Sequence, residues 1–226
     1  MPDWIGPVAE YMLKEGLRGT LTIAAEAVAA SAVIGVLFGT LMTINFLPLR
    51  AAIRLYIEVW RGLPLIVTIF FMYFALPGFP LGGIRLSAFQ AAAIALALWG
   101  SAQIAEATRG AVQSIPREQH EAAAALGFGW LGRHAFVVLP QALRRLLPPM
   151  VSLLVNVIQN TTLAALIGAP ELLETGKRQV ERLAGPPPGG ESEIHAFEIY
   201  GALMVAFFVI SFPLTRLAAY LERRLV

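Results

Sequence analysis

Long apolar stretches alternate with short polar segments along the chain. A helix that crosses a membrane needs about 20 mainly apolar residues, and four stretches reach that length, at residues 20–46, 87–105, 150–168 and 197–214. A fifth apolar run, Leu63–Leu76, is too short to cross a membrane by itself. If Tyr56–Arg61 contributes its cytoplasmic end, it forms a second span at 58–76; taken alone, it could be a re-entrant segment. The pattern predicts an all-α integral membrane protein with about five transmembrane helices in a single domain, residues 1–226.

Composition supports the membrane assignment. The 226 residues are 57% hydrophobic and 14% charged, whereas soluble domains carry roughly 25% charged residues. The seventeen basic residues are spread between apolar runs and form no basic face, so we expect no nucleic-acid partner. The chain has no cysteine, and its three histidines lack a second histidine one turn away. We therefore predict no metal site and expect His120, His134 and His195 to be solvated or interfacial.

Basic residues predict the orientation, because they accumulate on the cytoplasmic side. With five spans and an outside N-terminus, eleven basic residues fall inside and six outside. The loop at 169–196 is then external; six glutamates lie between Ala169 and Glu198, and the loop contains the linker-like sequence GPPPGG. The loop at 106–147 and the C-terminus are cytoplasmic.

The cytoplasmic loop contains a predicted helix at Arg117–Leu126, because glutamates, a glutamine and four successive alanines favour helix. Pro116 suits its start and Gly127 its end. Beyond it, three bulky apolar residues form either a docking patch or a contact with the bilayer interface: Phe128, Trp130 and Leu131.

Neither nucleotide-binding motif is supported by its context. Gly127, Gly129 and Gly132 have the spacing G-x-G-x-x-G, but no strand is predicted before them. The two lysines, Lys14 and Lys177, do not follow the glycine spacing of a P-loop. We therefore expect this chain not to hydrolyse a nucleotide and to need no cofactor of its own.

The loop also carries a family signature. Residues Glu121, Ala122, Ala123, Gly127, Val137, Leu139 and Pro140 resemble the E-A-A, G, hydrophobic, L-P signature of ABC-importer permease subunits. Tyr56–Leu65, Ala105-Glu106 with Arg109-Gly110, Pro140-Gln141-Ala142 with Pro148-Pro149, and Asn160–Leu163 are similar to blocks of the polar amino-acid permeases. Nearly the whole chain is covered, although Gln159, Ser152 and Ser101–Gln103 depart from the family pattern, which leaves the substrate open.

This resemblance implies a type I ABC importer in the bacterial inner membrane. Its loop helix would couple the permease to a separate ATPase that binds ATP and magnesium, with coupling residues Glu121, Ala122, Ala123, Gly127, Leu139 and Pro140. A second permease chain, identical or related, and an extracytoplasmic amino-acid-binding protein are the other implied partners, besides the lipid bilayer. Two alternatives stay open: an importer of another small polar solute, and a passive channel or membrane scaffold.

Polar residues at bilayer depth are costly and often face a cavity or a partner. Candidates for the substrate path are Glu26, Asn156, Gln159, Asn160, Thr161 and Thr162. The alternative for the last five is interhelical hydrogen bonding at a dimer seam, and for Glu26 a wet position near the outer interface. Structural or gating candidates are Glu58, Arg61, Pro64, Gln103, Glu106 and Arg109, with Glu58–Arg61 and Glu106–Arg109 as predicted pairs. Gly35 and Gly39 indicate close helix packing.

Overall fold

The computed structural model describes residues 3–80, 83–184 and 195–225, and this part of the chain is helical with no β-strand. The α-helices are α1 (Ile5–Tyr11), α2 (Arg18–Leu41), α3 (Leu47–Gly62), α4 (Leu65–Phe70), α5 (Ala88–Gln113), α6 (Arg117–Ala125), α7 (Trp130–Arg133), α8 (Leu139–Asn160), α9 (Leu172–Leu183) and α10 (Ala196–Leu225). π-Helical turns join α1 to α2 (Met12–Leu17), follow α4 (Phe71–Ala75) and join α7 to α8 (His134–Val138), while 3₁₀ turns follow at Leu76–Gly78 and Thr161–Ile167.

Four helical runs in the described residues are long and apolar enough to cross a membrane, and they match the predicted spans in number and order: Ile5–Leu41, Ala88–Gln113, Trp130–Ile167 and Ala196–Leu225. There is a fifth candidate span if α3 and the bent segment that follows it, Leu65–Gly78, together cross the membrane. The all-α membrane fold with four to five spans is therefore confirmed.

The second predicted span is interrupted. Residues 58–76 do not form one helix, because α3 ends at Gly62 and α4 begins at Leu65. Between them Leu63 is extended, with φ −81° and ψ 137°. Pro64 is the cause, since its ring disfavours helical geometry in the preceding residue. Tyr56–Arg61 belongs to the helix that begins at Leu47.

Several helix bounds differ from the predicted span bounds. The first span ends at Leu41, five residues before the predicted end at Phe46, but the other three are longer than predicted. Most of the predicted cytoplasmic loop is helical, because it contains the ends of α5 and α8 as well as α6, α7 and the π-helical turn between α7 and α8. The predicted external loop contains α9. The proposed GPPPGG linker lies outside the described residues. Hydropathy marks only the apolar part of a helix, so polar helical ends and the polar α9 were missed.

By internal contacts the chain divides into two compact units, and four long helices contribute residues to both. The first unit comprises Met1–Ala27, Leu65–Leu96 and Val155–Pro213. In this unit, α9 packs against the π-helical turn Met12–Leu17 and against α10. The contact is a buried apolar cluster of five residues: Val8, Met12, Leu172, Ile199 and Leu203. The hydroxyl of Thr20 accepts the backbone N–H of Leu172 at 3.1 Å, which fixes the start of α9.

The second unit comprises Val28–Pro64, Ala97–Leu154 and Leu214–Val226. Here α2 lies close to α5, because Gly35 and Gly39 leave room for it. A Cβ at Gly35 would lie 2.5 Å from Cβ of Ile104, and one at Gly39 would lie 2.5 Å from Cβ of Thr108. The predicted close packing is therefore confirmed within the chain. A second apolar cluster, Met42, Ile53, Ile57 and Ala105, packs α3 on the same helices.

Candidate coupling site

The predicted loop helix is present as α6, which ends one residue before the predicted Leu126. Pro116 precedes it with φ −57°, and Glu118 lies in its first turn, where a negative charge favours the helix dipole. The Nε of Arg117 donates to the carboxylate of Glu121 at 2.9 Å, one turn on, and both side chains are exposed. Glu121 therefore lies on the exposed face of α6.

Gly127 ends α6 in a way that few other residues could. Its φ is +83°, a left-handed conformation that costs other residues about 1–2 kcal/mol. This geometry lets the N–H of Gly127 donate to the carbonyl of Ala124 at 2.9 Å, and that of Phe128 to Ala123 at 3.1 Å. These two bonds are the Schellman pattern, which satisfies the last carbonyls of a helix.

The two sides of α6 differ in exposure. Ala123 is buried, whereas Glu121 and Ala122 are exposed. Next to this small-residue surface, three large apolar side chains are 73–78% exposed: Leu126, Leu131 and Phe136. Of the three predicted bulky residues, Phe128 and Leu131 are exposed and Trp130 is half-buried. Leu126 and Phe136 were not predicted. We call Leu126, Leu131 and Phe136 the apolar patch.

Side-chain hydrogen bonds tie the loop to its flanking helices. Nε2 of Gln141 donates to Oε1 of Gln119 on α6 at 3.3 Å, and to the carbonyl of Val137 at 2.9 Å. Arg145 of α8 donates to the carbonyl of Ser114 at 2.7 Å, just past the end of α5. The predicted coupling residues Leu139 and Pro140 form the first turn of α8. Sequence reasoning missed these anchors, since their partners lie 22 and 31 residues away.

His134 differs from its prediction. It is 6% exposed, so the expectation of a solvated or interfacial histidine was wrong. Its ring stacks on Trp130 with centroids 4.2 Å apart, and both ring nitrogens have partners, the carbonyl of Trp130 at 2.9 Å and the hydroxyl of Thr43 at 3.1 Å. No local sequence signal links residues 43 and 134.

The predicted path residues on α8 and the following 3₁₀ turn have different environments. Asn156 and Gln159 are exposed, and Asn160 is half-buried with its amide donating to the carbonyl of Asn156 at 2.8 Å. Thr161 is fully buried, and its hydroxyl donates to the carbonyl of Ile158 at 2.8 Å, while Thr162 donates to Gln159. Asn156 and Gln159 are therefore the two exposed members of this set. Glu26 is exposed on α2.

Of the gating candidates, Glu106 and Arg109 form the predicted ion pair through two hydrogen bonds. The predicted Glu58–Arg61 pair is wrong, since Glu58 lies 3.6 Å from Arg54, one turn earlier on α3. Arg54 also lies 3.8 Å from Glu106. Arg54 thus lies near the carboxylates of both Glu58 and Glu106. Gln103 is half-buried and Pro64 is exposed at the helix break.

Comparisons with known proteins agree with this arrangement. Residues 31–226 match the family described as "Binding-protein-dependent transport system inner membrane component". The glutamine transport system permease protein GlnP of Escherichia coli K12 is 36% identical over 225 residues, 99% of this chain and 97% of that protein. The glutamate/aspartate import permease protein GltK of Escherichia coli O6:H1 is 31% identical, with 98% of this chain and 97% of that protein covered.

A solved structure of an amino acid ABC transporter with histidines superposes with a TM-score of 0.81 at 26% identity, covering 99% of both chains. The fold, the loop helix and these similarities define a membrane-embedded permease component of the ABC-importer type. The chain belongs to the family of inner-membrane components of binding-protein-dependent transport systems.

Proposed function

We propose that this chain is the membrane-spanning subunit of an ATP-driven importer of amino acids. It pairs with a second permease chain, identical or related, and the two line one path. A separate ATPase, carrying ATP and magnesium, docks on α6, and an extracytoplasmic binding protein delivers the solute. The N-terminus lies outside and the C-terminus in the cytoplasm of a bacterial inner membrane, as the distribution of basic residues favours.

The observation that carries the proposal is α6 with its apolar patch. A short helix that is capped at its C-terminal end and anchored through Gln119 is a defined projection, and large apolar side chains beside it favour a protein partner. Leu126 is 78% exposed at the end of this helix. The alanines around Glu121 let a second surface approach closely.

Energy would enter through the docked ATPase. A ligand shifts a conformational equilibrium only by its different affinity for the two states. Nucleotide binding that favours one arrangement of the ATPase would therefore move α6 and shift the spans between inward-open and outward-open states. Asn156 and Gln159 supply exposed amide groups for a polar solute along this path. Glutamine is the first solute to test, because GlnP is named for it.

The test is reconstitution of the full chain with its partner ATPase in liposomes, with binding protein and radiolabelled amino acids. Import that needs ATP hydrolysis and saturates with glutamine, or with another amino acid, supports the proposal. Flux that is independent of ATP would identify a passive channel. ATP-dependent import of another polar solute, with no amino acid accepted, would identify the remaining alternative.

The docking surface is tested by Leu126→Asp, which places a charge in the apolar patch. The ATPase retained on the purified permease should fall by roughly tenfold, the effect of losing about 1.4 kcal/mol of contact. Leu47→Asp is the matched control, because Leu47 is also 78% exposed but begins α3. Equal retention by the two variants would contradict docking at α6.

A further inference from the structure

The π-helical turn between α7 and α8 begins with a histidine that contacts three segments of the second unit. The ring of His134 stacks on Trp130 of α7, lies 6.2 Å from the ring of His120 on α6, and reaches Thr43 just beyond α2. π-Helical turns are often found at functional positions. His134 is therefore the side chain through which the loop helix and the end of the first span are connected.

The hydrogen-bond chemistry of this contact is directional. The carbonyl of Trp130 can only accept, so Nδ1 of His134 carries the proton and donates across 2.9 Å. In a neutral imidazole Nε2 is then the acceptor, and the hydroxyl of Thr43 donates to it across 3.1 Å. The same hydroxyl also lies 2.7 Å from the carbonyl of Thr40, in the last turn of α2.

A hydroxyl has one proton, so Thr43 serves one of these two acceptors at a time. When it donates to Thr40 it completes the end of α2, and when it donates to His134 it ties α2 to the coupling segment. The contact thus joins the end of α2 directly to the coupling segment through one hydroxyl. The helical run that contains His134 continues without interruption from Trp130 to Ile167.

We propose that His134 is a positioning residue that transmits the movement of α6 to α2 through Thr43. This inference rests on the proposed importer function, because movement of α6 has a meaning only if an ATPase pulls it. His134 does not touch the solute or the nucleotide. Its role is to make the end of the first span move together with α6, so that ATP hydrolysis drives import.

Two pairs of variants separate the contacts. His134→Asn keeps a polar atom near the position of Nδ1 and loses the reach to Thr43, whereas His134→Gln extends to the position of Nε2. Thr43→Val removes the hydroxyl at nearly constant shape, and Thr43→Ser keeps it. The readout is amino acid imported per ATP hydrolysed by the reconstituted full complex, with the amount of bound ATPase measured separately.

We expect His134→Asn and Thr43→Val each to lower import per ATP by roughly fivefold, the effect of losing one hydrogen bond. Bound ATPase should stay at the wild-type level. His134→Gln and Thr43→Ser should retain coupling, and the double variant should be no worse than either single variant, because both remove the same link.

Unchanged import per ATP in His134→Asn and Thr43→Val would overturn the proposal. So would a loss of coupling that merely follows the loss of bound ATPase, since that would make His134 part of the docking surface. A double variant whose defect equals the product of the single defects would also overturn it. Absence of ATP-dependent import in the wild-type complex would instead refute the importer function itself.

Discussion

The carboxylate of Glu171 accepts the backbone N–H of Glu174 at 2.6 Å and caps the first turn of α9 while it is completely buried. Burial raises the pKa of Glu171 to about 7, although the backbone N–H groups of Leu173 and Glu174 and the hydroxyl of Thr20 partly counteract it. The nearby Glu174 raises it further, and Glu174 itself is paired with Arg178 at 2.9 Å. Below neutral pH, the carboxyl of Glu171 is therefore mainly protonated and uncharged in the folded chain.

We predict that Glu171 makes the protein less stable as pH rises. Below pH 4.5 the carboxyl is protonated in both the folded and the unfolded chain, and between pH 4.5 and about 7 only the unfolded chain ionises. The free energy of unfolding should therefore fall across this window, by up to about 3 kcal/mol from this group. Above about pH 7 its contribution no longer changes with pH.

The measurement is the thermal unfolding midpoint in nanodiscs at several pH values, compared with Glu171→Gln. As pH rises, the unfolding midpoint of the wild-type protein should fall relative to that of Glu171→Gln. Glu181→Gln, at an exposed position of α9 that pairs with Lys177, is the control for removal of a glutamate from this helix. A difference for Glu171→Gln that does not change with pH would refute the raised pKa.

Gly127→Ala and Gly129→Ala should differ although neither new Cβ would meet an atom within 4 Å. Of these two positions, Gly127 has a left-handed backbone, while Gly129 has φ −66°. Gly127→Ala should cost about 1–2 kcal/mol and weaken the end of α6, so less ATPase should copurify with it. Gly129→Ala should copurify like wild type, and equal behaviour of the two variants would show that the left-handed turn is not required.

Gly39→Ala should destabilise the second unit because its new Cβ would lie 2.5 Å from Cβ of Thr108. Overpacking of this kind costs about 1–3 kcal/mol. Gly110→Ala on α5 meets open space and should be neutral or slightly stabilising, since alanine favours helix over glycine. Thermal unfolding of both variants measures the contrast, and a stable Gly39→Ala protein would show that α2 and α5 separate easily.

Local signals account for what could be predicted from the sequence. The helix at α6 was recognisable because its composition and both of its ends, at Pro116 and Gly127, lie within twelve residues. Apolar length was enough to find the long spans. Glu106 and Arg109 were paired correctly because they are one turn apart on one helix.

Non-local contacts explain the failures. α9 is held by its contacts with Met12 and Leu203, and its own composition is polar, so length and hydropathy assigned it to a loop. His134 was expected to be solvated because its partner Thr43 is ninety-one residues away. Arg54 was missed as the partner of Glu58 because Arg54 and Arg61 each lie about one turn from it, and the non-local contact of Arg54 with Glu106 is not visible in the sequence.

Asn156 and Gln159 allow the two interpretations of the polar cluster to be separated. Both side chains are exposed in the chain, so they face either a solute or the second permease chain. If they line the path, Gln159→Leu should raise the KM for import by roughly tenfold, the effect of losing one well-placed polar contact of about 1.4 kcal/mol. The permease dimer should then be as stable as in wild type.

At a dimer seam the same substitution would lose an interhelical hydrogen bond, weaken the dimer and leave KM unchanged. Import kinetics in proteoliposomes and dimer stability in detergent, measured on one preparation, decide between them. Leu166→Ala, at a position that is 57% exposed on the following 3₁₀ turn, controls for general effects of changing this surface. We expect the KM to change and the dimer to persist, because exposed amide groups can exchange hydrogen bonds with a passing polar solute.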